Sequence, residues 1–179
     1  MNVKKIIFLL LVSFSFISGQ SKLTAGGSFG LGQIKGNSPS ITSLSGKLYI
    51  ETVFDFLPPV SFAASFIYAQ HTDKFIPGNK ENRYFPFIKA YALTANMVQY
   101  FNEMIFVKSG VGINYVNERI FSGTNNWDFG FAFFTAPGID LRGESKNGFA
   151  LISSFDFGMT FSGNTPSYFL FTLGGEYHF

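Results

Sequence analysis

The sequence contains no cysteine and few charged residues, and each shortage excludes a class of protein. Without cysteine we expect neither a disulfide framework nor a cysteine-linked lipid anchor. Charged residues make up 13% of the chain, against about 25% in a typical soluble domain, which is too little to cover a soluble surface. No internal apolar run reaches the roughly 20 residues that a membrane-spanning helix needs. A chain that is 46% hydrophobic without such a run is expected to cross a membrane as a β-barrel.

The first nineteen residues have the order of features of a secretory signal peptide. Lys4 and Lys5 form a short basic start, residues 6–17 are an apolar run, and small residues follow. We therefore predict a signal peptide at 1–19 and a barrel domain at 20–179. Removing both lysines with the signal lowers the formal net charge from +2 to zero, so no nucleic-acid partner is expected.

The last eleven residues, 169–179, alternate between two faces. One face carries aromatic and aliphatic side chains and ends with Tyr177 and Phe179, whereas the other carries Thr172, Glu176 and His178. This period-2 pattern predicts a β-strand. An aromatic outer face suits the final strand of a closed barrel, because that strand meets lipid and pairs with the first strand.

A final strand with Tyr177 and a terminal Phe179 resembles the assembly signal of bacterial outer-membrane β-barrels. The resemblance is to the small eight-stranded members, the transmembrane domain of OmpA-type proteins and the OmpX-type proteins. It implies recognition of the terminal strand by the barrel-assembly machinery. It also implies outer-membrane lipid and lipopolysaccharide as surroundings, both termini in the periplasm, and a role as scaffold, adhesin or passage for small apolar compounds.

The predicted fold is all-β, an eight-stranded antiparallel up-and-down transmembrane β-barrel. Strands are expected at about 23–32, 44–56, 60–68, 87–97, 104–115, 127–141, 149–161 and 169–179. The odd-numbered connections should face outside the cell, and the first three should be long and polar, at 33–42, 70–85 and 117–126. Pro137 predicts a bulge or an early strand end, because proline cannot donate to the ladder.

Glycine and charge indicate which face of each strand points into the barrel. Nine glycines lie on the polar faces, where a narrow eight-stranded lumen needs small side chains: Gly26, Gly30, Gly32, Gly110, Gly112, Gly130, Gly138, Gly158 and Gly174. The opposite faces carry mostly Phe and Leu, with aromatic residues near both ends, as expected of a lipid-facing wall with two girdles. The fourth strand has the least clear parity, since pointing Tyr91 and Leu93 outward also points Lys89 outward.

Charged residues on the inward faces are the main candidate site. Six acids and two bases share this parity: Lys47, Glu51, Asp55, Lys108, Asp128, Asp140, Asp156 and Glu176. One interpretation is a paired ionic network of Lys47, Glu51, Lys108, Asp156 and Glu176 that plugs the lumen, since buried ions must be paired. The other is a polar path for small solutes, which the excess of acids would make cation-favouring.

Catalytic and cofactor sites are poorly supported. His71 lies beside Asp73 and not far along the chain from Ser65. These residues are only weak candidates for a nucleophile and its base. His178 is too distant from His71 for a shared metal site. We expect no enzyme activity and no cofactor.

Three functional hypotheses follow for a monomeric barrel. The first is a non-enzymatic outer-membrane barrel with a structural or surface-interaction role. The second is a narrow channel or transporter for small solutes or apolar compounds, and a distant third is a lipid-modifying enzyme. In the longest loop, Lys74, Lys80 and Arg83 are candidates for contact with lipopolysaccharide phosphates or another surface anion.

Overall fold

The computed structural model describes residues 21–36, 39–54, 59–78, 84–143, 145, 147–163 and 165–179. Within these ranges the chain forms eight β-strands: β1 Ser21–Lys35, β2 Ile41–Phe54, β3 Val60–His71, β4 Phe87–Tyr100, β5 Ile105–Arg119, β6 Asn126–Asp140, β7 Gly148–Thr160 and β8 Ser167–His178. One short 3-10 helix, Thr72–Phe75, follows β3. The predicted signal peptide at 1–19, and with it Asp55, Phe56, Lys80 and Arg83, lies outside the described residues.

The eight strands close into one barrel in which every strand pairs antiparallel with its chain neighbours. Closure comes from β1 and β8, which pair from Thr24 opposite His178 to Lys35 opposite Ser167. The predicted all-β eight-stranded barrel is confirmed. We call the end that holds Leu23 and Phe179 the terminus end, where the Phe179 amide donates to the Leu23 carbonyl at 2.9 Å, and the opposite end the long-loop end. No helix in the described part of the chain is long and apolar enough to cross a bilayer.

Alternating side chains give the barrel an apolar outside and a mixed inside. Leu48, Leu93 and Phe129 on the outer wall are 66%, 60% and 62% exposed, although they are large and hydrophobic. On β4, Ala90 and Ala92 are buried while Tyr91 and Leu93 are exposed. The uncertain parity of the fourth strand is thereby resolved, and Lys89 lies on the outer wall.

Several strands extend further than the sequence indicated, so two connections expected to be long are short. β1 continues to Lys35, β2 begins at Ile41, and β5 continues to Arg119. At the long-loop end, the connection between β1 and β2 therefore shrinks to 36–40 and that between β5 and β6 to 120–125, whereas 72–86 between β3 and β4 is long. The prediction failed because the polar residues at 33–42 and 117–126 were interpreted as loops. The buried, inward-facing Ile34 and Val116 show that the alternation of the strands continues toward these stretches.

Pro137 neither ends β6 nor forms a bulge, so that prediction is wrong. The register between β6 and β7 is the same on both sides of the proline, with Thr135 opposite Phe155 and Gly138 opposite Ile152. Pairing with β7 lapses only over Ala136 and Pro137, because proline has no N–H to donate. On its other side Pro137 remains opposite Val107 of β5, which keeps the strand in line.

Four inward aromatic rings each lie over a glycine on the neighbouring strand. The direct cross-strand pairs are Tyr49 with Gly26, Phe106 with Gly138, Phe134 with Gly110, and Tyr168 with Gly158. A Cβ atom added at any of these glycines would collide with the ring. Glycine therefore makes room for bulky groups inside a barrel too narrow for two large neighbours.

Apolar side chains seal the lumen toward the long-loop end. This cap consists of Ile34, Ile67, Ala69, Ile88, Ala90, Val116, Ile120, Tyr168 and Leu170, none more than 3% exposed, with Ile41 packed against it. A second, smaller apolar cluster contains Tyr49, Phe106, Ala150 and Ile152. The inside of the barrel is thus a packed core over much of its height.

Candidate functional site

Five charged residues from four strands meet inside the barrel. Lys108 on β5 donates to Glu51 on β2 and to Glu176 on β8, each at 2.7 Å. Lys47 on β2 contacts Asp156 on β7 at 2.5 Å. Since β5 pairs with neither β2 nor β8, and β2 does not pair with β7, each contact crosses the lumen. All five side chains are less than 10% exposed.

Neutral partners that the sequence analysis did not assign complete this network. The Tyr49 hydroxyl donates to Glu176 at 2.5 Å, Ser154 donates to Asp156 at 2.6 Å, and Ser61 and Asn96 both donate to Glu51. The Lys47 ammonium also lies 4.4 Å from the centre of the Phe134 ring. These residues share inward parity with the charged ones, which is the signal that points to them, but parity does not show which side chains touch.

The network leaves almost no open space at its level in the barrel. The cavity among Lys47, Glu51, Lys108, Asp156 and Tyr168 has a volume of about 30 Å³, enough for roughly two water molecules. On the long-loop side of the network lies the apolar cap. The lumen is therefore closed in this structure.

An open vestibule leads to the network from the terminus end. It has a volume of about 530 Å³, and its walls include Lys22, Tyr100, Arg142 and His178. At its rim Arg142 donates to both carboxylate oxygens of Asp140, at 2.9 Å through Nε and 2.5 Å through an Nη atom. The hydrogen bonds to Asp140 raise the pKa of the Arg142 guanidinium, which keeps it protonated and paired with the Asp140 carboxylate.

The long connection at 72–86 carries the described part of the predicted anion contact. Lys74 is exposed, and its ammonium donates to the Gln70 side chain at 3.0 Å. Gln70 in turn donates to the carbonyls of Phe85 and Pro86, which fastens the end of the loop to β3. Lys80 and Arg83 are outside the described residues, and the anion contact of all three residues stays a prediction.

The histidines do not form a catalytic arrangement with the residues considered from the sequence. His71 Nε2 lies 3.9 Å from the Asp73 carboxylate, beyond hydrogen-bond distance. Ser65 lines the small cavity inside the barrel, six residues and roughly 20 Å along β3 from His71. His178 instead approaches Glu176 at 3.2 Å and Thr24 at 3.0 Å. The described residues contain no cluster of three or more His, Asp or Glu side chains able to hold a metal ion.

Aromatic clusters mark both ends of the outer wall. Trp127 stacks between Tyr91 and Tyr115 at the long-loop end, with ring centres 6.0 and 4.8 Å away. At the terminus end, Tyr177 packs against Phe149 at 4.8 Å and against Phe179 at 4.9 Å. The two residues of the predicted assembly signal therefore lie on the outer wall, beside the seam between β8 and β1.

Comparison with known proteins finds similarity in fold and not in sequence. No family model matches the chain, and no curated protein matches its sequence. Among solved structures, Ail of Yersinia pestis in complex with the heparin analogue sucrose octasulfate has a TM-score of 0.57 at 13% identity, covering 89% of this chain and 99% of that one. Neisserial surface protein A has a TM-score of 0.56 at 8% identity, with 87% and 95% covered. The N-terminal β-barrel domain of Pseudomonas aeruginosa OprF has a TM-score of 0.54 at 13% identity, with 89% and 100% covered. The fold is that of the small eight-stranded outer-membrane barrels.

Proposed function

We propose that this chain is a non-enzymatic integral outer-membrane β-barrel with a structural or cell-surface interaction role. The observation that carries the proposal is the combination of an exposed apolar outer wall with a closed lumen. Phe129 and Ile139 are ten residues apart on β6, which corresponds to about 25 Å along the axis of a barrel with the usual strand tilt. Such a wall matches the apolar band of outer-membrane barrels.

The filled lumen favours this role over the narrow channel. The ionic network leaves room for roughly two water molecules, and the nine buried side chains of the apolar cap are each no more than 3% exposed. An ion that entered the vestibule would meet Lys108 held by two carboxylates and then an apolar layer that cannot solvate it.

The first test is refolding in detergent followed by measurement in a planar bilayer. We expect the folded barrel to migrate differently on a gel before and after boiling, and to be electrically silent. Discrete conductance steps in the wild-type protein, reduced in Glu51→Ala or Asp156→Ala, would contradict the structural role and support a channel lined by these carboxylates.

The surface partner we propose is an anion held by the long loop. Lys74 is exposed in that loop, and Lys80 and Arg83 lie in the same connection by sequence. Ail, which shares this fold, was solved with a sulfated heparin analogue. A Lys74→Ala/Lys80→Ala/Arg83→Ala variant is expected to bind a sulfated polysaccharide or lipopolysaccharide more weakly than wild type, and equal binding would reject the loop as the anion site.

Export and assembly complete the proposal. Residues 1–19 would direct export and leave both mature termini in the periplasm, and Tyr177 and Phe179 would be read by the barrel-assembly machinery. Replacing both aromatics with Ser is expected to lower the amount of folded barrel in outer-membrane fractions while leaving detergent refolding largely intact. A loss of refolding equal to the loss in cells would mean that the two rings matter for stability alone.

A further inference from the structure

Two cations flank one aromatic ring on the outer wall of β4 and β5. The Lys89 ammonium lies 5.4 Å from the centre of the Phe87 ring, and the Arg119 guanidinium carbon lies 5.6 Å from the same point. Phe87 and Arg119 are direct cross-strand partners, and Lys89 is two residues along from Phe87 on the same face. Each cation thus makes a cation–π contact with the same ring.

Within the described part of the chain, neither cation has a carboxylate partner. No ion pair involves Lys89 or Arg119, and Arg119 Nε is buried without a hydrogen-bond acceptor. The adjacent acid, Glu118, points to the opposite face and is 3% exposed. The Arg119 carbonyl accepts a hydrogen bond from the Tyr84 hydroxyl at 2.6 Å, which anchors the backbone at this position.

The position of the pair on the wall decides what reaches it. Lys89 is two residues beyond Tyr91 toward the long-loop end, and Arg119 is four residues beyond Tyr115. At the usual strand rise and tilt these steps place the cations roughly 5 and 10 Å above the aromatic cluster of Tyr91, Tyr115 and Trp127. Such a cluster marks the boundary of the hydrocarbon layer, so the cations point sideways at headgroup depth.

We infer that Lys89 and Arg119 bind the phosphate of a membrane-lipid headgroup, with Phe87 as the platform that holds them. Arg119 supplies planar donors suited to phosphate oxygens, and Lys89 supplies a point charge. The inference rests on the proposed membrane location. It names a different site from the anion contact of the long loop, because these side chains lie on the wall that faces lipid rather than in the loop.

The experiment measures how phosphorylated lipid stabilises the refolded barrel in a neutral detergent. Wild-type protein is heated with diphosphorylated lipid A, with phosphatidylglycerol, with dephosphorylated lipid A, and with inorganic phosphate. The apparent Tm is then read from the gel shift. We expect the first two additions to raise the apparent Tm and the last two to leave it unchanged. Removing one cation should weaken lipid binding roughly tenfold, since it removes charge-assisted hydrogen bonds. The double variant Lys89→Ala/Arg119→Ala should lose the rise, and Arg119→Lys should retain part of it.

Lys35→Ala is the matched control. Lys35 is also an exposed cation at the long-loop end of a strand, but its cross-strand partner on β8 is Ser167. This variant should keep the full rise. Three results would each overturn the lipid site. The first is that lipid raises the apparent Tm of the double variant as much as that of wild type. The second is that Lys35→Ala loses the rise as the double variant does, and the third is that inorganic phosphate raises the apparent Tm as much as lipid does. Failure of wild-type protein to insert into lipid vesicles would overturn both the membrane location and the lipid site. Insertion together with a rise in apparent Tm that does not depend on lipid phosphate would overturn the lipid site alone.

Discussion

The two halves of the lumen are closed by different physical means. Toward the long-loop end the cap excludes water by apolar packing, which is non-directional, so no member depends on one particular partner. Nearer the terminus end, Lys108, Glu51 and Glu176 fill the space as ions, each of which depends on a particular partner. The difference teaches that a buried charge is tolerated only with its complement, so a single substitution should damage the ionic layer more than the apolar one.

Lys108→Met tests the ionic layer and should have the largest effect. It removes the cation that Glu51 and Glu176 share and leaves two buried carboxylates without it. Removing one partner of a buried ion pair typically costs about 3–5 kcal/mol. The free energy of unfolding, measured by urea titration of the refolded barrel in detergent micelles, should fall by that amount.

The control for Lys108→Met is the triple variant Lys108→Met/Glu51→Gln/Glu176→Gln. It removes the unpaired charges together with the cation, so it should recover a large part of the lost stability. If the triple variant is less stable than Lys108→Met alone, unpaired carboxylates are not the cause of the lost stability, and the ion pairs of Lys108 do not account for the stability of this layer.

Ile88→Ala tests the cap and should have the next largest effect. Ile88 is completely buried on the inner face of β4, and truncating a buried isoleucine to alanine typically costs about 2–5 kcal/mol. The barrel should nevertheless remain silent in a planar bilayer, because the ionic network still fills the lumen. Conductance in this variant but not in Lys108→Met would show that the cap alone closes the barrel.

Gly158→Ala tests the packing of aromatic rings over glycine and should have an intermediate effect. The added methyl group would collide with the Tyr168 ring and with the Asn114 side chain, and overpacking a core typically costs about 1–3 kcal/mol. Gly163→Ala is the matched control, because Gly163 has no atom within 4 Å of the added Cβ position. Equal urea midpoints for the two variants would contradict the role assigned to Gly158.

Strand positions and inward faces were predictable because alternation is a local signal. The parity that placed Lys47 and Lys108 inward needs only neighbouring residues in the sequence. Their pairing is not local, since Lys47 reaches Asp156 across the barrel, and that contact depends on the register of every strand between them. For the same reason the ring of Tyr168 over Gly158 was not foreseen, although both residues have inward parity.

The cap was missed for a different reason. Ile34, Ile67 and Leu170 alternate in phase with the polar inward residues, but apolar side chains in a membrane protein are readily assigned to lipid. The strand extensions beyond 32 and 115 escaped notice because Gln33 and Asn117 are polar. Polar residues on the outward face of a barrel strand indicate that the strand has left the hydrocarbon layer, and they do not show that pairing has stopped.

Arg142→Ala tests an ion pair at the rim and should have the smallest effect. The Arg142 side chain is 19% exposed, so in the alanine variant water can replace part of the hydrogen bonding that the Asp140 carboxylate loses. Ion pairs near the surface typically contribute about 1 kcal/mol or less. The residue 142 amide still donates to Asp140 in the alanine variant, as it does at 3.0 Å in the wild-type chain. Tyr100 also still donates to that carboxylate, at 3.1 Å. The urea midpoint should therefore move much less than in Lys108→Met, and an equal shift would mean that burial is not what separates the ionic layer from the rim.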